Sequence, residues 1–209
     1  MAENWRIIMD ACQALSDEGI DECRRIIQKN YPFDPTKKPR EVKSRGGQPR
    51  DGKAEAISCW TEGHISKMRI FSRDGFENRF TGELLIFPAV LRLLSREMPR
   101  EFPFQQNLRP EATHIAYHDL GACTTPLVPL SRGGRNEETN LITTTMPYIL
   151  ARKDQTVEEA GWRLTREGFV DEWDGMSTWY VEYVNDHQEL REINFFNLWF
   201  NAARSVLRL

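Results

Sequence analysis

The sequence predicts an α+β protein: a small hairpin-and-helix core embedded in flanking α-helices. Three observations lead there. Apolar residues recur at helical spacing near both ends of the chain, a Gly-Gly loop joins two short apolar runs between residues 123 and 145, and a basic stretch with almost nothing apolar separates the N-terminal helices from the rest. With 209 residues, 40% hydrophobic and 28% charged, the chain can build one compact domain with helical additions.

Trp5, Ile8, Met9, Cys12 and Leu15 fall on one helical face, and Ile20, Cys23, Ile26 and Ile27 repeat the pattern after a Ser-Asp-Glu-Gly break. Residues 1–35 therefore read as two amphipathic helices. Residues 36–63 read as a basic flexible segment, whose first part, TKKPREVKSRGGQPRDGK, holds seven basic and two acidic side chains, two prolines and three glycines. Its cations Lys37, Lys38, Arg40, Lys43, Arg45, Arg50 and Lys53 are candidate phosphate contacts, and equally the charge of a solvated loop.

A core domain is expected over residues 64–170. From Ile65 to Phe87, Arg-Asp-Gly and Thr-Gly-Glu read as turns between short strand-like pieces. Pro88 opens a helix with Val90, Leu91, Leu94 and Met98 on one face, and Pro99 closes it. The stretch 99–122 is irregular, with the polar-aromatic string THIAYHDL at 113–120. After the hairpin, Thr156 and Glu159 form a capping box that starts a short helix. Residues 171–209 read as C-terminal aromatic helices: Met176, Trp179, Tyr180, Tyr183 and Val184 make one stripe, and a last helix runs from about Leu190 to Leu207. These aromatics are expected to pack in the core.

Several function classes drop out. No apolar run approaches the roughly 20 residues that span a bilayer, and MAENWRIIMDAC lacks the basic-then-apolar pattern of a signal peptide, so a cytoplasmic location and no membrane partner are expected. Cys12, Cys23, Cys59 and Cys123 form no C-x-x-C or Cys/His pair, so no zinc site is expected and the thiols read as reduced. With a net charge of -3, any nucleic-acid face must be local.

PLVPLSRGGRNEETNLITTT resembles the HNH endonuclease motif: Pro129, Gly133, Gly134, Asn140 and Leu141 fall at the motif's spacings. Collinear blocks such as IFSRDGFENRFTGELLIFPAVLRLLS, REFPF, THIAYHDL, TVEEAGW and WYVEYVNDH extend the likeness to a bacterial branch of HNH-containing proteins over roughly residues 20–205. The resemblance implies a ββα-metal unit in which an Asp, a general-base His, a loop-orienting Asn and a helix ligand serve one divalent cation. Carried over by position, the Asp falls at Thr125, the His at Pro126, the Asn at Asn140 and the helix ligand at about Ile149. Only Asn140 retains the family type. A proline has no ionisable group and an isoleucine no donor, and loss of a general base alone costs about 10² to 10⁴ in rate.

The inherited mechanism therefore predicts an inactive enzyme, with no cofactor. Substitute candidates are His114, His118 and Asp119, just upstream of the hairpin, with Mg²⁺ or another divalent cation as cofactor if they serve a nuclease. His64 and His187 have no partner at informative spacing. Arg132, Arg135, Arg152 and Lys153 are expected to converge around the altered motif as a local DNA-binding face, offset by Glu137 and Glu138. Three readings stay open: a non-cleaving DNA-binding or regulatory protein, a metal-dependent nuclease with substitute residues, and a protein-interaction partner of an active relative.

Overall fold

The computed structural model describes residues 4–44 and 63–208. Among them are eight α-helices and one two-stranded antiparallel sheet, a mixed α+β architecture.

The N-terminal periodicities form α1 (Asn4–Asp17) and α2 (Ile20–Asn30), an antiparallel pair that buries Ile8, Ala11, Cys12 and Leu15 against Cys23 and Ile27. At the centre lies α4 (Pro88–Glu97). Its Ala89, Val90, Leu91, Leu93 and Leu94 are all fully buried, while Arg92, Arg96 and Glu97 give it one polar side that is half-buried to exposed. Around it pack α7 (Ser177–Asp186), through Tyr180, Val181 and Val184, and α8 (Asn194–Leu207), through Phe196, Trp199 and Phe200. The Phe87 ring stands edge-on to Phe76, Tyr180 and Trp199, at 6.0, 5.4 and 5.1 Å between centroids. One continuous cluster holds α1, α2, α4, α7 and α8, so the N- and C-terminal helices share a single core with the middle of the chain. The C-terminal aromatics Tyr180, Tyr183, Trp199 and Phe200 are part of it.

Residues 65–87 differ from the strand-like expectation. They begin as α3 (His64–Arg73), whose Met68 and Phe71, one turn apart, are buried, with Phe71 stacked near Trp199. The turn signals at Arg-Asp-Gly and Thr-Gly-Glu suggest short strands, but the three-residue spacing of Met68 and Phe71 and the cover supplied by α8 decide for helix. What remains of strand pairing here is two isolated bridges, Glu77 to Leu84 and Ile86 to Gly121. A short helix α5 (Ala116–Asp119) then leads into the sheet. The last helix also starts later than expected, after a 3₁₀ turn over Gln188–Glu192. The Thr156–Glu159 box forms reciprocally, Glu159 accepting from the Thr156 N–H at 3.0 Å and Thr156 Oγ1 from the Glu159 N–H at 3.2 Å, yet only one turn follows before the chain departs at Gly161.

Strands β1 (Cys123–Pro126) and β2 (Leu141–Thr144) pair Cys123 with Thr144 and Pro126 with Leu141, and α6 (Met146–Arg152) follows β2 directly. Pro126 is accommodated because the Leu127 N–H donates to the Asn140 carbonyl at 2.6 Å. In an antiparallel ladder alternate residues donate across the pair, so the Pro126 nitrogen faces the open edge.

The other side of β2 is held by a buried carboxylate. Asp74, fully enclosed at the end of α3, accepts from Arg73 Nε at 2.8 Å, from Arg79 Nη1 at 3.0 Å and from the Thr143 N–H at 2.7 Å. The Arg79 N–H donates to the Thr143 carbonyl at 2.9 Å, so both main-chain groups of Thr143 are met by the 74–79 turn. Arg73 also reaches the carbonyls of Glu138 and Leu141, at 2.8 and 2.6 Å. Of the segment expected to be flexible, residues 36–44 are described and anchored. Arg40 makes two bonds to Glu83, at 2.8 and 2.7 Å, and Ser44 Oγ donates to Gln155 Oε1 at 2.7 Å.

Replacing Asp74 by Asn removes the buried charge shared by Arg73 and Arg79, leaving Arg79 only the Glu167 carboxylate at 3.3 Å, and is expected to cost about 3–5 kcal/mol in urea unfolding. An unchanged midpoint would show that the carboxylate is not what fixes β2.

Candidate functional site

The loop between β1 and β2 is shaped by one amide. Asn140 Oδ1 accepts from the Val128 N–H at 2.9 Å, while Nδ2 donates to the carbonyls of Val128 and Arg135 at 3.0 and 2.8 Å. All the bonding capacity of the side chain but one lone pair goes into closing the loop. Gly133 turns the chain in the left-handed region, at φ 84°. Gly134 is required by close approach, since a Cβ there would lie 1.9 Å from the Val128 carbonyl oxygen and 2.9 Å from Asn140 Nδ2.

At the mouth of this hairpin, Thr125 is 2% exposed and Pro126 is buried, while Ile149 is half-buried on α6. The space beside the first two is taken by Arg152, one helical turn beyond Ile149 and itself 2% exposed. Its Nη2 donates to Thr125 Oγ1 at 2.7 Å and to the Pro126 carbonyl, and Nη1 donates to the Leu127 carbonyl at 3.2 Å. The residues present do not fit a divalent cation. The Thr125 hydroxyl and the Pro126 carbonyl both serve the guanidinium, and the Ile149 side chain has no donor atom. Among the described residues no group of three or more His, Cys, Asp or Glu side chains is arranged to hold a metal.

His114 and His118 are enclosed. The His114 Nδ1 accepts from the Ala116 N–H at 3.2 Å, which leaves Nε2 to donate to the Tyr31 carbonyl at 2.8 Å, and the ring stacks on Phe102 at 4.0 Å. Burial pushes its pKa down to about 4, opposed by the Tyr31 carbonyl and aided by Lys37. A ring with both nitrogens engaged is built as a structural strut. His118 is 4% exposed, and among the described residues neither ring nitrogen makes a hydrogen bond of ordinary geometry. Burial lowers its pKa, with Asp119 and the Leu108 carbonyl favouring the protonated form. Asp119 is held above the usual carboxylate range by burial, against the pull of the Arg40 N–H and side chain. His64 stands edge-on to Trp199, and His187 stacks on Tyr183.

The cations expected to converge around the hairpin do not do so as a set. Arg152 points inward, Arg132 pairs with Glu159, Arg135 lies 3.6 Å from Glu137, and Lys153 is exposed. Among the others, Lys37, Lys38 and Lys43 are exposed, Arg40 is committed to Glu83, and Arg45, Arg50 and Lys53 lie outside the described residues. The exposed apolar side chains Val128, Leu130 and Leu150 sit on the hairpin loop and on α6. Among the described residues no helix is long and apolar enough to cross a membrane.

Comparison with protein-family models, with curated proteins and with solved structures finds no match to this chain. Sequence reasoning missed the Arg73–Asp74–Arg79 set, because Arg-Asp-Gly carried only a turn signal. It also placed Arg152 on the surface, whereas the side chain is buried against β1, one turn from the half-buried Ile149.

Asn140→Ala and Gly134→Ala are each expected to cost about 1–3 kcal/mol in thermal unfolding, the first by orphaning loop groups and the second by steric displacement. A loss under a few tenths of a kcal/mol would contradict that account. His114 also gives a pH signature. Its depressed folded-state pKa means that the unfolded chain binds the extra proton between pH 6.5 and about 4, so its contribution is full above 6.5 and falls away as pH drops toward 4. The loss is on the order of 3 kcal/mol, partly offset by the raised Asp119, whose protonation favours the folded state. Urea midpoints across this range should slope in the native protein and slope less in His114→Gln, where the lowered His118 and His64 still contribute in the same direction.

Proposed function

We propose that this chain is a nucleic-acid-binding protein on an HNH-like hairpin-and-helix scaffold that does not cleave its ligand. The observation that carries the reading is the split fate of the motif positions. Asn140, Gly133 and Gly134 shape the loop, while Thr125, Pro126 and Ile149 offer no base and no carboxylate, and the oxygens of the first two serve Arg152. The order strand, glycine loop, strand, helix accords with a ββα unit. Contact with phosphates falls to the exposed Lys37, Lys38 and Lys153 and to Lys43 once it leaves Glu41, 3.5 Å away, whereas Arg132 and Arg135 must first leave their carboxylates. Few free cations on a chain of net charge -3 make weak, salt-sensitive binding.

Fluorescence anisotropy with a labelled DNA duplex tests this. If about four cations displace counterions, affinity should fall on the order of 10²-fold between 50 and 200 mM salt, and Lys37→Gln with Lys38→Gln should flatten the slope by about two. Supercoiled plasmid with Mg²⁺ or Mn²⁺ should stay intact. Metal-dependent nicking that follows the protein through purification would replace this reading with a nuclease using His118 and Asp119. That alternative has one observation in its favour, the His118 ring, whose nitrogens make no hydrogen bond of ordinary geometry among the described residues. Absence of binding even at low salt would point to a protein partner, for which Val128, Leu130 and Leu150 offer apolar surface.

A further inference from the structure

We infer that Arg152 is a resident cation, filling the place that a divalent metal would take, and that it closes β1 onto α6 with no metal required. The inference rests on the HNH-like reading of the hairpin for which position is which. Its geometry is independent of that reading. Three oxygens from consecutive residues, Thr125 Oγ1, Pro126 O and Leu127 O, converge on one guanidinium that is 2% exposed. Hydroxyl and carbonyl oxygens are the ligands a hard cation takes, and here they line a niche occupied by a positive group of the chain itself. Arg152 is also the last residue of α6, where the negative end of the helix dipole favours a cation.

Two consequences follow. A divalent ion entering this niche meets a buried like charge, so it is excluded by electrostatics as well as by lack of ligands. A carboxylate restored at Thr125 would pair with the guanidinium, at the point where Arg152 Nη2 already lies 2.7 Å from the hydroxyl, and would not create a metal site. The altered motif is thus one interlocked unit, and reverting only the family positions does not undo it.

The test uses the full chain and Mn²⁺ as the probe, with bound ion read from loss of the free Mn²⁺ paramagnetic resonance signal and from the shift in thermal midpoint. The native protein and the triple variant Thr125→Asp, Pro126→His, Ile149→Asn should take up no Mn²⁺, with midpoints unmoved by Mn²⁺ or EDTA. Adding Arg152→Ala to the triple variant should give uptake of one ion per chain and a midpoint that rises with Mn²⁺. Uptake while Arg152 is present overturns the inference, as does a folded quadruple variant that remains blind to Mn²⁺. If the quadruple variant does not fold, Thr125→Asp alone decides. A midpoint raised by a few degrees with no Mn²⁺ uptake supports the inference, and a lowered midpoint or uptake of the ion overturns it. None of these readouts uses DNA, so failure here leaves the nucleic-acid reading standing, and failure of DNA binding leaves Arg152 where it is.

Discussion

The hairpin depends on one buried carboxylate. Asp74 binds two guanidiniums and the Thr143 amide inside the protein, which joins the end of α3, the 74–79 turn and the middle of β2 at a single point. A buried charge is tolerated only when it is paired and its lone pairs are satisfied, and Arg73 and Arg79 do both while passing their remaining donors to Glu138, Leu141 and Thr165. A two-stranded sheet of four-residue strands has little stability alone. Here β2 is flanked by β1 on one side and by the 74–79 turn on the other, which lets so short a pair present a fixed loop.

From that support the site can be followed outward. The glycines and Asn140 set the loop by sterics and hydrogen bonding, neither of which requires a metal or an ionisable group. The mouth of the hairpin is set by Arg152, which spends its donors on oxygens of β1 and the residue after it. The two halves of the motif are therefore held by separate interactions. The loop and the mouth of the hairpin can each hold their shape without the other.

Much of this was legible in the sequence where a local pattern carried it. The terminal helices follow from apolar spacing in 4–17, 20–30 and 177–186, and the hairpin turn from Gly133 and Gly134 ahead of Asn140. What stayed hidden depended on residues distant in the chain. Met68 and Phe71 become helical because α8 covers them, 128 residues beyond Phe71 at Trp199, and no window around Ile65 contains that fact. Asp74 meets Thr143 across 69 positions. Arg152 was misread because charge suggests surface, a rule that fails when carbonyl oxygens are waiting inside. The Thr156–Glu159 box shows the converse: its bonds form as read, but a capping signal starts a helix without guaranteeing that one continues.

Pro126 has one more effect. Among the described residues β1 has no strand on its outer side, where Thr124, Thr125 and Pro126 are buried, and an unpaired strand edge ordinarily offers donors and acceptors to another strand. Here the outward-facing nitrogen belongs to a proline and carries no hydrogen, while the carbonyl of the same residue is occupied by Arg152. An incoming strand would find neither a donor nor a free acceptor at that step. Proline at this step therefore closes the β1 side of the hairpin to further strand pairing.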